Sequence, residues 1–66
     1  MLDFETLLDY LIDDYKVNIF DIITGEDIEK DLSIDEAKDW AESHEHDFCS
    51  FEPTNSDTIT INVEVK

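Results

Sequence analysis

Apolar residues at Phe4, Leu7, Leu8, Leu11, Ile12 and Tyr15 recur in steps of three and four, a stripe that only a helix gathers on one face. Asp3 precedes the stripe as a natural N-cap, so a first helix is expected to start there. The pattern then changes to Lys16-Val-Asn-Ile-Phe-Asp-Ile-Ile23, rich in β-branched residues, followed by Thr24-Gly25-Glu26 with the sole glycine of the chain. Ile28 and Leu32 suggest a return strand and hence a β-hairpin. Ser33-Ile-Asp-Glu36 fits a capping box, which predicts a second helix whose apolar side is Ile34, Ala37, Trp40 and Ala41, with His44 at its end. Asp47 to Glu52 and Thr58 to Val65 read as strands joined by the turn formers Pro53 to Asp57. In the second of them Ile59, Ile61, Val63 and Val65 alternate strictly with Thr58, Thr60, Asn62 and Glu64, which dedicates one face to a core.

The order α-β-β-α-β-β predicts an α+β fold with a four-stranded, mostly antiparallel sheet and two helices packed on one face. The two halves align loosely at a spacing of about thirty residues. With 66 residues, 1–66 is one domain with one thin core. Seven aromatics and many isoleucines distinguish it from a disordered acidic segment. No apolar run approaches the ~18 residues of a membrane span, no basic leader is evident, and the lone Cys49 fits a reducing compartment, so a cytoplasmic protein is expected.

Charge changes the picture most. Nineteen carboxylates oppose four lysines and no arginine, a formal net charge of −15. Direct binding to nucleic acid is disfavoured, because affinity for phosphates comes from Lys and Arg. Glu5, Asp9 and Asp13 repeat at i, i+4, i+8 in the first helix, and Asp35, Asp39 and Glu42 at i, i+4, i+7 in the second, with Asp14, Glu29 and Asp31 between. Each set forms a ladder with ~5–6 Å between members along a helix axis, against one phosphate per ~3.4 Å per strand of duplex DNA. Solubilising surfaces normally interleave both signs, and like charges at i, i+4 repel, so an almost unrelieved acidic surface points to a basic partner.

Other chemistries fit less well. The carboxylates form no D-x-D-x-D-G loop for calcium, and His44-Glu-His46 with Cys49 is a loose trio with no second ligand pair to complete a zinc tetrahedron, so no metal or cofactor is expected. Cys49 beside a histidine lacks the electropositive setting a thiolate nucleophile needs, and a domain this thin has little room for a substrate pocket; an enzyme is not expected. If Val17, Ile19 and Ile23 face the helices, Phe20 and Ile22 turn to the other face together with Phe48 or Phe51, a candidate dimer or apolar contact; the reverse register would make them core.

In size, lysine-poor acidity and its two ladders, the chain resembles the small acidic DNA-mimic inhibitors that bacteriophages direct at host DNA-binding proteins, a class with no common fold or motif. The resemblance implies a basic DNA-binding protein as partner in the cytoplasm of a bacterial host, with the nucleoid protein HU as first expectation. A homodimer would match the two-fold symmetry of such a target. Anti-CRISPR, anti-restriction or RNA polymerase inhibition by the same mimicry, and an acidic adaptor binding through its sheet face, are the alternatives.

Overall fold

A computed structural model describes residues 3–11 and 14–66. Its elements are α1 (Phe4–Asp9), β1 (Lys16–Asp21), β2 (Glu26–Leu32), α2 (Ile34–Ser43), β3 (His46–Asn55) and β4 (Thr58–Val65). The sheet order is β2-β1-β4-β3. Both hairpins are antiparallel, while the central pair β1 and β4 runs parallel, so the sheet is mixed and both helices pack on one side of it. The parallel pairing places Val17 beside Ile59, Ile19 beside Ile61 and Asp21 beside Val63. The four aliphatic residues Val17, Ile19, Ile61 and Val63 are fully buried, and Phe4, Leu7, Leu8, Ala37, Trp40 and Ala41 cover them from the helix layer. Ile28, Leu32, Ile34 and Phe48 close the margins of this core.

α1 begins where the sequence places it: the Asp3 carboxylate accepts the Thr6 amide at 2.8 Å. It ends earlier than the apolar stripe, with Tyr10 as C-cap and the Tyr10 and Leu11 amides bonded three residues back at 3.0 and 3.2 Å. The last turn holds Asp9 and no basic residue, so negative charge meets the carbonyl end of the helix dipole, where it is least tolerated. α2 has the expected reciprocal cap, Glu36 amide to Ser33 Oγ at 3.1 Å and Ser33 amide to Glu36 Oε1 at 3.0 Å.

Three features depart from the sequence reading. β1 stops at Asp21, because the buried Asp21 carboxylate takes the Ile23 amide and its carbonyl takes the Gly25 amide, both at 2.8 Å. Ile22 and Ile23 are therefore turn residues, exposed by 45% and 67%, and Ile23 is not on the helix face. β3 continues through Pro53 to Asn55; an edge strand tolerates proline because one side of its backbone needs no partner. A bulge between Phe48 and Ser50 lets Phe48 register with Val63 and Phe51 with Ile61, so both phenylalanines stay on the helix side and neither joins Phe20.

Candidate functional site

The carboxylates of the two helices meet at one lysine. Lys38 leaves α2 and reaches Asp9 of α1, Nζ to Oδ1 at 3.1 Å. Its ammonium is held above the ordinary lysine value first by that hydrogen bond and the Asp9 charge, then by the charges of Asp35 and Glu5. Asp9 and Asp35 thus meet at one cation at the seam where α1 packs on α2, rather than standing on two separate ladders, while the charge of Glu5 reaches it from further off. Asp13, the third rung expected on the first helix, lies outside the described residues.

A second group lies on the other flank of α2. Glu29 from β2 and Glu36 and Asp39 from α2 line a groove with Leu32, Trp40, Ser43 and His44. Glu36 is partly engaged already: the Ser33 amide and hydroxyl hold its carboxyl below the usual value. Asp14 is exposed before β1, and Glu42 is exposed on α2. Asp31 is exposed with a left-handed φ of 57°, its amide held by Asn18 Oδ1 at 2.9 Å where β2 slips register against β1. Among the described residues, no hydrogen bond or ion pair joins these three to the groups at Lys38 or in the groove.

Two residues that sequence reasoning treated as bystanders shape this surface. Lys38, one of only four lysines, ties α1 to α2; its position one turn after Asp35 gives no hint of Asp9, which only the helix packing brings near. Glu36 was expected only as a cap, yet it also adds charge to the groove.

The histidines are built into the wall of the core. His44 stacks on Trp40 with ring centroids 4.7 Å apart, and His46 lies 5.1 Å from Trp40 and 5.2 Å from Phe4. His44 Nδ1 sits 2.9 Å from the Trp40 carbonyl and His46 Nδ1 2.7 Å from the His44 carbonyl. A carbonyl only accepts, so both rings carry hydrogen on Nδ1 for these bonds. His44 thereby satisfies one of the free carbonyls at the end of α2. Cys49 turns elsewhere, with Sγ 4.0 Å from Glu64 Oε2. Partial loss of hydration and the charges of Glu64 and Asp47 push its thiol pKa up, away from the thiolate. The His-x-His-x-x-Cys trio therefore diverges, and among the described residues no group of three or more His, Cys, Asp or Glu side chains is placed to hold a metal ion.

Among the described residues, no helix is long and apolar enough to cross a membrane. No protein family matches the chain, and no curated protein or solved structure matches it either.

Proposed function

We propose that the protein presents the carboxylates of its helix layer to the basic DNA-binding surface of another protein and keeps DNA from it. The observation that carries this reading is the meeting of Asp9 and Asp35 from two helices at a single lysine, with Glu29, Glu36 and Asp39 in the groove along the far flank of α2. A basic groove supplies the counter-charge that the chain itself lacks, and it does so most strongly at low salt, where unscreened charges steer encounter. Asp14, Asp31 and Glu42 would extend the contact around this centre. The target class is a bacterial DNA-binding protein, with the nucleoid protein HU first, and the setting is the cytoplasm of a phage-infected host.

The test is retention of lysate proteins on the immobilised chain at low salt, followed by parallel elution with a salt gradient and with duplex DNA. One basic DNA-binding protein released by both treatments supports mimicry and identifies the target, whether a nucleoid protein, a Cas effector, a restriction enzyme or RNA polymerase. The double variant Asp35→Lys, Asp39→Lys should retain none of it while keeping its circular dichroism spectrum. A retained protein indifferent to both salt and DNA would sink the reading in favour of an adaptor that uses its sheet face, with acidity serving solubility alone.

A further inference from the structure

Away from the helices, the sheet has a second face. Alternation brings Lys16, Asn18 and Phe20 of β1 there beside Thr58, Thr60 and Asn62 of β4, with Asn18 in register with Thr60 and Phe20 with Asn62. Ser50 and Glu52 of β3 flank them on one side and Asp27 of β2 on the other. The middle of this face is uncharged, and several of its polar groups bond within the sheet. Asn62 Nδ2 donates to Ser50 Oγ at 3.0 Å, Asn18 Oδ1 accepts the Asp31 amide at 2.9 Å, and the Thr54 and Thr60 hydroxyls bond each other. Covering the centre keeps these bonds and leaves Asn18 Nδ2 and Asn62 Oδ1 to be partnered across the interface.

The rim is where the lysines are. Lys30 pairs with Asp27 at 3.3 Å and Lys66 with Asp47 at 2.8 Å, Asp47 being in register with Glu64. Alternation starts β1 on this face with Lys16, whose charge also reaches Glu36 of α2, so three of the four lysines border it, against Asp27, Asp47, Glu52 and Glu64, while Lys38 stands at the helix seam. A chain of net charge −15 repels its own copies on every other side.

We infer that this sheet face is a self-association surface whose occupant is a second copy of the same chain, sheet against sheet, with Phe20 and Asn62 at its centre. A two-fold axis lying across the strands reverses their direction, so the Lys16 end of one sheet falls over the Glu64 end of the other, and the opposite charges face each other twice. Both helix layers then point outward. The inference rests on the charge distribution and not on the function proposed above. Four strands ~4.8 Å apart and about six residues long at ~3.3 Å give a flat footprint of roughly 400 Å². That is about half the ~800 Å² per partner of a standard interface, so the dimer is weak and concentration-dependent.

Sedimentation equilibrium from about 5 μM to about 1 mM, at low and high salt, covers the range expected of so small an interface. The mass should rise from 7.7 kDa toward twice that value with concentration, and further when salt screens the net repulsion. Phe20→Asp and, separately, Asn62→Asp should each lower the association constant at least about tenfold by setting like charges across the axis, whereas Glu42→Gln on α2 should not lower it. Asn62→Asp is nearly isosteric and decides the matter if Phe20→Asp loses its fold by circular dichroism. A mass that stays at 7.7 kDa throughout, or a dimer that tolerates both substitutions, would overturn the inference.

Discussion

Reversing the charge at Asp39 should stabilise the free protein. Asp39 is exposed on α2 with Asp35 four residues before it and Glu42 three after, and Glu29 and Glu36 share its groove. Like charges at these helical spacings repel by ~0.2–0.5 kcal/mol per pair, and opposite charges attract by as much, so Asp39→Lys changes the two pairs with Asp35 and Glu42 by roughly 1–2 kcal/mol. Solvent exposure and screening cut this to about 1 kcal/mol. For a domain of this size that corresponds to a rise in Tm of ~4–8 °C. Lysine is also a better helix former than aspartate, so Asp39→Gln is the control: its propensity is close to that of lysine, and it removes repulsion without adding attraction. Thermal melts by far-UV circular dichroism at ~10 mM salt should order the proteins Lys above Gln above parent. At ~1 M salt the screening length falls to ~3 Å, and the Lys and Gln variants should converge. A Lys variant no more stable than the Gln variant at low salt, or a gap that survives high salt, would refute the electrostatic reasoning.

Ser33→Ala removes the hydroxyl that accepts the Glu36 amide and should cost about 1 kcal/mol, a loss of several degrees in Tm. The Asp3 and Glu36 carboxyls are held below their ordinary values of 3.8 and 4.5 by the Thr6 and Ser33 groups respectively, so their contributions are complete above those values and vanish as pH falls through the lowered ones. Glu36→Gln, which keeps an acceptor but cannot titrate, should therefore show a shallower acid limb in a Tm against pH profile. Gly25 has φ +73° with nothing within 4 Å of where a Cβ would stand, so Gly25→Ala should cost ~1–2 kcal/mol through backbone strain alone, while Gly25→Asn should recover much of it. Equal stability of the Ala and Asn variants by denaturant titration would count against that account.

What was legible in the sequence was local. The alternation of Thr58–Val65, the Ser33/Glu36 box and the Asp3 cap each specify their element through chemistry within four residues, and each stands as expected. The end of α1 was not legible, because Leu11 continues the apolar period while the helix closes at Asp9 with Tyr10 as C-cap. Ile22 and Ile23 look like strand, yet the Asp21 side chain folds the backbone back before them. Local pattern also cannot choose which strands of two hairpins meet. β1 and β4 pair in parallel, which fits neither a two-fold nor a translational repeat of the α-β-β halves, so their loose alignment owes nothing to a symmetry of the fold. For the candidate surface, the exposed carboxylates were readable one by one. Their grouping, Asp9 with Asp35 through Lys38 and Glu29 with Asp39 across the groove, exists only once α2 lies over the sheet.

The position of β4 between β1 and β3 has a consequence for biosynthesis. Of the six elements β4 is translated last, and yet it supplies Ile59, Ile61 and Val63, the centre strip against which Val17 and Ile19 are buried. A nascent chain emerging from the ribosome without it has the β1-β2 hairpin on one side of α2 and an unpaired β3 on the other, with the centre of the core missing. Folding must then wait for β4 and be nearly all-or-none, and the high negative charge, together with the carboxylates along β2, keeps the waiting β1-β2 hairpin and the unpaired β3 from joining those of neighbouring nascent chains.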